Sequence, residues 1–200
     1  MKKFDESKHP RDKEGKFTNK NTSSSSVATK EKESNEYTEK VKKYKEKIQF
    51  QKESTDFGRN IDNFLNGKIK DSFEIKVCST PSILQKYGAP NYPIIITKSV
   101  INKILFEHEI DAVTLKKVPF HLLDPKYILK GNDKEGGNSS IVCVINIKDK
   151  RENFLNVIIY MNKTKNYFNV NRIASIYGRR NFENYIKIQE LKGNILYKKR

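Results

Sequence analysis

Tryptophan is absent from the sequence, and cysteine occurs only twice, at Cys78 and Cys143, inside apolar segments. Two such cysteines exclude a disulfide framework, and they lack the spacing of a metal site. No apolar run reaches the roughly 18 residues of a transmembrane helix, and the first residues lack the apolar region of a secretory signal. We therefore expect a soluble, cytoplasmic protein.

Acidic residues are few relative to basic ones, with 24 aspartates and glutamates against 40 lysines and arginines and a net charge of +16. The imbalance is greatest in residues 141–200, which contain 13 basic and 4 acidic residues and five of the seven arginines. Such a surface suits a phosphate-rich partner, either nucleic acid or an acidic membrane surface. The charge distribution predicts that the C-terminal part contacts a polyanion.

The N-terminal region is poor in large apolar side chains, since residues 1–56 contain only six Leu, Ile, Val or Phe. Residues 1–36 cannot bury enough apolar area to offset their ordering entropy, so we predict a disordered basic tail there. Apolar residues recur at helical spacing from Tyr37 to Ile48, and Phe57, Ile61, Phe64 and Leu65 can continue this stripe, which predicts an amphipathic helical arm over residues 37–68. We expect this arm to pack on its own domain or on a partner.

Residues 69–200 combine helix and strand signals in an order that predicts an α+β domain, with helices preceding a mostly antiparallel sheet. The charged turn KDKREN between two apolar runs indicates an antiparallel hairpin. The strand-like runs cover residues 73–78, 92–96, 127–129, 141–147, 153–161, 167–177 and 194–197, and the predicted helices cover residues 80–88, 97–108, 111–123 and 182–191.

His108 shares one face of a predicted helix with Ile101, Ile104 and Leu105, which directs it toward the sheet. It is either a structural histidine, favoured by the dipole at a helix C-terminus, or an acid-base group. No histidine pair and no cluster of His, Cys and Asp has the spacing of metal ligands. We therefore predict no metal and no cofactor.

The segment NRIASIYGRR, residues 171–180, concentrates a guanidinium, a hydroxyl and a phenol, groups that bind and polarise a phosphodiester. It is equally compatible with an ordinary basic edge strand. In a strand without bulges, alternate side chains share a face. This rule places Arg172, Ala174 and Ile176 on one face and Asn171, Ile173, Ser175 and Tyr177 on the other.

Three segments carry a resemblance to a known family: KVCSTPSILQKYGAPNYPIIITKSVINKILFEHEI, LLDPKYILKG, and YFNVNRIASIYGRRNF followed by NILYKK. Over about residues 70–200 the chain resembles the C-terminal toxin domain of MuF-type phage head-morphogenesis proteins. That family is grouped with the barnase, EndoU, colicin and RelE-like nucleases. The resemblance implies helices followed by a four-stranded antiparallel sheet, and ribonuclease activity without a metal.

The resemblance and the basic residues of the C-terminal part together predict site residues. The histidine of the family's helix motif, here in KILFEH, falls on His108, which is expected to act as general base or acid. Arg172 is expected to neutralise charge on the phosphoryl oxygens, while Ser175 and Tyr177 orient the phosphate or assist proton transfer. The motif N.I.SIYG falls on Asn171, Ile173, Ser175, Ile176, Tyr177 and Gly178. Contacts to RNA are expected from Asn171, Arg179, Arg180, Lys198, Lys199 and Arg200.

The expected function is that of a metal-independent endoribonuclease of phage or mobile-element origin, a toxin that cleaves RNA by attack of the 2′-hydroxyl. Expected partners are RNA, an immunity protein, and a phage or mobile-element protein that binds the tail and the arm, with no membrane partner. Two alternatives stay open: a non-catalytic nucleic-acid-binding domain and a structural phage or mobile-element protein. In the binding alternative, bases would stack on Tyr160, Tyr167 and Phe168, which alternate with Lys163 and Lys165.

Overall fold

The computed structural model describes residues 14, 25–69, 74–131, 140–165 and 168–199. Most of the predicted tail, residues 1–13 and 15–24, lies outside the described residues. Helix α1, Ser25–Leu65, begins before the predicted start at Tyr37. The chain divides into two compact units, residues 1–45 and 46–200, so the division lies within α1 and at neither predicted boundary.

The second unit includes residues 46–65 of α1 because this part of the helix contributes to the core. Phe50, Phe57 and Ile61 are each at most 2% exposed. Ile48, which belongs to the first part of the predicted apolar stripe, is 52% exposed instead. The domain therefore begins well before residue 69, and this part of the arm packs on its own domain.

The described strands form one seven-stranded sheet, not the four-stranded sheet that the resemblance implies. Their order is β1-β2-β6-β5-β4-β3-β7, and every neighbouring pair is antiparallel except β2 and β6. The sheet is wider because the β1–β2 hairpin joins β6, and because β7 pairs with β3. The strands are β1 Glu74–Cys78, β2 Ile94–Thr97, β3 Tyr127–Lys130, β4 Ser140–Lys148, β5 Phe154–Lys165, β6 Phe168–Gly178 and β7 Ile195–Lys198.

Short helices lie in three of the connections between these strands: β1 to β2, β2 to β3, and β6 to β7. The helix predicted over residues 97–108 is interrupted, because an α-helix is followed by one turn of π-helix at Lys103–Glu107. Among the described residues no helix is long and apolar enough to cross a membrane. After α1 the helices are α2 Ser82–Lys86, α3 Lys98–Asn102, α4 Ala112–His121 and α5 Phe182–Leu191.

Apolar side chains cover both faces of the sheet. Along β4, Ile141, Cys143 and Ile145 belong to the main core, which also contains buried residues of α1, α3 and α4. Val142 and Val144 point the other way into a smaller cluster beneath α5. This alternation is the expected pattern of a sheet buried on two sides. The α+β class, with a mostly antiparallel sheet, is thus confirmed.

Candidate active site

His108 follows the π-helical turn directly. Thr97 begins α3, because its side chain accepts a hydrogen bond from the Val100 amide at 3.4 Å. At the other end, the His108 amide donates to the Lys103 carbonyl at 3.0 Å. Ile104, fully buried within the turn, anchors it on the core. Single turns of π-helix occur frequently at functional sites, and here the turn delivers a partly exposed imidazole to β6.

Strand β6 contains a β-bulge at Ala174. Ser175 pairs with Ile158, and Ile173 pairs with Ile159, so the residue between them has no partner on β5. An extra residue of this kind shifts the side-chain alternation by one position. The alternation predicted from the sequence therefore holds only up to the bulge.

The bulge brings the predicted catalytic side chains of β6 onto one face, which corrects the strict alternation. Directly paired residues of neighbouring strands point to the same face. The β5 partners concerned lie at every second position and so share a face. The three pairs are Arg172 with Tyr160, Ser175 with Ile158, and Tyr177 with Asn156.

His108 contacts two of these side chains. Its Nε2 atom lies 3.2 Å from Ser175 Oγ, at hydrogen-bond distance. The His108 and Tyr177 ring centroids lie 5.9 Å apart. Burial, and then the nearby charge of Lys103, lower the pKa of His108 below its ordinary value, against a smaller opposing effect of Glu107. The imidazole is therefore mainly neutral at neutral pH and can accept a proton.

A cavity of about 250 Å³ opens beside His108. The end of the π-helical turn, the β4–β5 turn and the end of β6 meet around it. Three cationic and three carboxylate side chains line the cavity, so its formal charges balance when the imidazole is neutral. The lining residues are Glu107, His108, Glu109, Asp149, Lys150, Arg151, Asn153, Tyr177, Gly178 and Arg180.

Asp149 organises the β4–β5 turn. Its Oδ1 atom accepts hydrogen bonds from the backbone amides of Arg151 and Asn153, both at 2.8 Å. Asn153 Nδ2 donates to Oδ2 at 3.0 Å, and the Glu152 amide donates to the Asp149 carbonyl at 3.0 Å. The carboxylate is therefore fixed in place, and the turn presents Lys150 and Arg151 to the cavity.

Of the predicted cationic residues of β6 and the turn after it, only Arg180 lines the cavity. Arg172 Cζ lies 5.9 Å from the centroid of the Tyr160 ring, and Arg179 Cζ lies 4.1 Å from that of Tyr185. Both are cation–π contacts. Arg172 is thus on the same face of β6 as Ser175 without reaching the cavity.

Asn171, predicted to contact RNA, is fully buried. Its Nδ2 atom donates to Thr80 Oγ1 at 2.8 Å and to the Pro90 carbonyl at 2.9 Å, and its Oδ1 atom accepts from the Asn162 amide at 3.2 Å. The side chain presents no surface to a polynucleotide. Its role in this structure is to join β6 to the segment that precedes β2.

The predicted C-terminal RNA contacts lie elsewhere in the fold. Lys198 ends β7, which is the edge strand farthest from β1 in the sheet order. Lys199 follows it, and its Nζ forms an ion pair with Asp124. Neither lysine lines the cavity beside His108. Arg200 lies outside the described residues.

Sequence reasoning missed Glu109, Lys150 and Arg151 as lining residues. The turn KDKREN was identified only as the connection of a hairpin. The position of this turn beside the site was nevertheless deducible, because β4, β5 and β6 are successive antiparallel strands and Gly178 pairs with Leu155. The β4–β5 turn must then lie beside the end of β6.

A resident metal has no obvious set of ligands here. In the part of the chain that the structure describes, no three His, Cys, Asp or Glu side chains are grouped as metal ligands. The two cysteines are buried and unpaired as thiols, and burial raises the pKa of Cys78. The candidate site thus consists of an imidazole, two hydroxyls, and charged side chains that include the Arg151–Glu109 ion pair.

Comparison with known proteins identifies the family. The family model of the phage MuF C-terminal domain matches residues 100–200, half of the 200-residue chain. The chain belongs to the phage MuF C-terminal domain family. The match confirms the resemblance seen in the sequence and covers the elements from within α3 to β7. The chain matches none of the curated proteins and none of the solved structures compared with it.

The MuF C-terminal domain match contains the whole cavity, because every lining residue lies between positions 107 and 180. Strands β1 and β2 precede the matched residues, although β2 pairs with β6 beside the site. In this chain the MuF domain is therefore built together with a preceding helix and hairpin that complete its sheet.

Proposed function

We propose that the chain is a metal-independent endoribonuclease, a toxin of phage or mobile-element origin that cleaves RNA by attack of the ribose 2′-hydroxyl. The observation that carries the proposal is the 3.2 Å contact of His108 Nε2 with Ser175 Oγ, beside a cavity that is lined by His108 and by cationic side chains. Its place in the barnase, EndoU, colicin and RelE-like group is part of the same proposal.

His108 acts as the general base in this reaction. A neutral imidazole removes the proton of the 2′-hydroxyl while the O2′–P bond forms and the P–O5′ bond breaks. A base is most effective when its pKa lies near the working pH, and the lowered pKa of His108 keeps it unprotonated. In this step Nε2–H donates to Ser175 Oγ, which orients the ring and leaves Nδ1 free to take the proton.

Tyr177 supplies the proton that the leaving 5′-oxygen needs. Its ring is adjacent to that of His108, with centroids 5.9 Å apart, so the acid and the base flank one phosphate. The products are a 2′,3′-cyclic phosphate and a 5′-hydroxyl. Tyr177 then regains a proton from solvent, and His108 returns its proton to solvent.

The negative charge that develops on the phosphoryl oxygens is stabilised by Arg180 and Lys150, which line the cavity. Arg172, on the same face of β6 as Ser175 but outside the cavity, binds a neighbouring phosphate. Arg179, Lys198 and Lys199 contribute weaker contacts to the backbone. Contacts of this kind position RNA without reading its sequence.

One observation favours the binding alternative. Tyr160 has two cations beside its ring, Lys163 Nζ at 5.4 Å and Arg172 Cζ at 5.9 Å, and Phe168 on the neighbouring strand is 74% exposed. Exposed aromatic rings among cations suit single-stranded nucleic acid. A domain that only binds would use this surface and would not need His108.

The test is incubation of the purified chain with total RNA in excess chelator. We expect cleavage, and His108→Ala should reduce its single-turnover rate by about 10² to 10⁴. His121→Ala is the matched control, because His121 is also partly buried with a lowered pKa and does not line the cavity beside His108.

Three outcomes separate the hypotheses. Cleavage lost in His108→Ala and kept in His121→Ala supports the proposed mechanism. Wild-type cleavage in His108→Ala would show that another residue carries the reaction. RNA binding without any cleavage by the wild-type chain would favour the non-catalytic alternative.

A further inference from the structure

One ion pair crosses the cavity beside His108. Arg151 of the β4–β5 turn contacts Glu109 of the segment after the π-helical turn, with Nη2 3.0 Å from Oε2. The two side chains are 58% and 63% exposed. An exposed pair of this kind contributes little to stability and separates easily. The cavity is therefore lined by a weak, removable contact.

Glu109 differs from the other carboxylates of the cavity. Asp149 is fixed by the amides of its turn and cannot leave without disrupting it. Glu107 lies near His108 and raises its pKa, and it makes no ion pair with Arg151. Glu109 is thus the carboxylate that forms an ion pair with a cation of the cavity and can be displaced from it.

The backbone of Glu109 is in a conformation that favours glycine, with φ at 55°. It occupies the position just after a helix end, where glycine or asparagine is usual. Glutamate carries a steric penalty here that glycine would avoid. A strained residue beside a candidate active site is grounds for inferring a function of its side chain.

We propose that Arg151 binds an RNA phosphate next to the one that is cleaved, and that the Glu109 carboxylate occupies this phosphate site until RNA displaces it. This inference rests on the proposed function for the identity of the ligand. Arginine suits the role because its planar guanidinium binds a carboxylate and a phosphate with the same geometry. Glu109 keeps the empty cavity neutral, so an anion binds only by replacing it.

The proposal explains why a basic protein has a candidate active site without net charge. A single free phosphate gains little by displacing Glu109, since one exposed ion pair is exchanged for another. A polynucleotide also contacts Arg172, Lys150 and Arg180, and so holds its phosphate at Arg151 at high effective concentration. Glu109 thereby selects RNA strands over small anions.

The experiment is a double-mutant cycle with RNA that cannot be cleaved. Binding of a 2′-O-methyl RNA oligonucleotide is measured by fluorescence anisotropy for the wild type, Glu109→Gln, Arg151→Gln and the double variant. Glu109→Gln should tighten binding by up to about fivefold, the range expected for release of an exposed pair. Arg151→Gln should weaken binding and reduce the salt slope by about 0.7, the contribution of one single-strand phosphate.

The decisive result is the interaction between the two substitutions. Once Arg151 is replaced, Glu109→Gln should no longer tighten binding, because there is no phosphate site left to vacate. Glu152→Gln is the matched control, since it removes the same charge from the β4–β5 turn that contains Arg151 without lining the cavity, and it should have a smaller effect than Glu109→Gln. Equal tightening by Glu109→Gln in both backgrounds would show a general charge effect and overturn the proposal, as would no tightening at all.

The proposed function and this inference fail separately. If the predicted interaction is measured but unmodified RNA is not cleaved, the Arg151 phosphate site is supported and the catalytic assignment is wrong. If RNA is cleaved through His108 but the substitutions of Glu109 and Arg151 show no interaction, the catalytic assignment is supported and the proposal of a displaceable carboxylate is wrong.

Discussion

The carboxylate of Asp149 lies directly against the backbone of Gly178: a methyl group added at residue 178 would stand 1.8 Å from Asp149 Oδ2 and 2.6 Å from its Cγ. The carboxylate cannot move aside, because the Arg151 and Asn153 amides hold it at 2.8 Å. The β4–β5 turn and the end of β6 are thus locked together, and this contact sets the position of Arg151 relative to Tyr177.

We predict that Gly178→Ala distorts the cavity. Forcing extra volume into a packed site typically costs about 1 to 3 kcal/mol of unfolding free energy, and here the turn must give way. The variant should therefore lose thermal stability and, in the fraction that stays folded, RNA cleavage. Melting temperature and single-turnover cleavage are measured on the same samples.

Gly131→Ala is the matched control for that experiment. Its added methyl group would stand 2.1 Å from Ser140 Oγ, a comparable clash, but neither residue lines the cavity. Gly131→Ala should lower stability while the folded fraction retains cleavage. Equal cleavage by folded Gly178→Ala and folded Gly131→Ala would show that the Asp149 contact does not shape the site.

The pH dependence of cleavage should reveal His108 as the general base. The rate should rise with pH through the His108 pKa, which lies below 6.5 mainly because of burial and the charge of Lys103. Lys103→Gln removes a nearby positive charge, so the pKa should rise and the midpoint of the profile should move to higher pH. Glu107→Gln removes a negative charge and should move the midpoint to lower pH. Single-turnover rates between about pH 5 and pH 8 measure both shifts.

Opposite shifts are a demanding result, because a general loss of activity would leave the midpoint in place. If Lys103→Gln and Glu107→Gln move the midpoint in the same direction, or leave it unchanged, then the titrating group is not His108.

Elements with strong local signals were predictable from the sequence. The helix over residues 182–191 is confirmed as α5, and the hairpin of residues 141–147 and 153–161 is confirmed as β4 and β5. The side chain of Thr97 caps α3, and that of Asp111 caps α4. Capping, alternation and turn composition are properties of neighbouring residues, so the sequence displays them directly.

Features that depend on distant residues were not predictable in this way. The parallel pairing of Ile94 with Asn171 adds the β1–β2 hairpin to the sheet, and no local pattern signals it. The bulge at Ala174 depends on the register with β5. It nevertheless decides that Ser175 and Tyr177 lie on the same face of β6 as Arg172. The burial of Asn171 follows from the same long-range contact. Because the sequence does not display that contact, a polar residue in a basic strand was predicted to bind RNA.

Asn171→Ala should destabilise the fold. The substitution removes hydrogen bonds to Thr80 and Pro90 and leaves buried polar groups without partners, which typically costs about 1 to 3 kcal/mol. Asn169→Ala, two residues earlier on the same strand and exposed, is the control and should change the unfolding free energy by less than about 0.5 kcal/mol. Urea denaturation measures both. A loss of RNA affinity in Asn171→Ala without a loss of stability would support the predicted contact of Asn171 with RNA.

Glu53 should make the stability of the domain depend on pH. Its Oε2 atom accepts a hydrogen bond from the Ser79 amide at 2.8 Å, and its Oε1 atom accepts from Lys76 Nζ at 2.9 Å, joining α1 to β1 and the loop after it. Burial opposes ionisation, but these hydrogen bonds outweigh it and hold the pKa of Glu53 below its ordinary value of 4.5. A lowered pKa contributes stability that is complete above the ordinary value and is lost as the pH falls through the pKa of the folded state.

Glu53→Gln should therefore lower the melting temperature at pH 7, and its difference from the wild type should shrink as the pH falls below about 4.5. The exposed residue Glu190, replaced by Gln in the same way, is the control for the loss of a surface carboxylate. A difference that stays constant down to about pH 3 would mean that Glu53 stabilises the domain by packing and not by its charge.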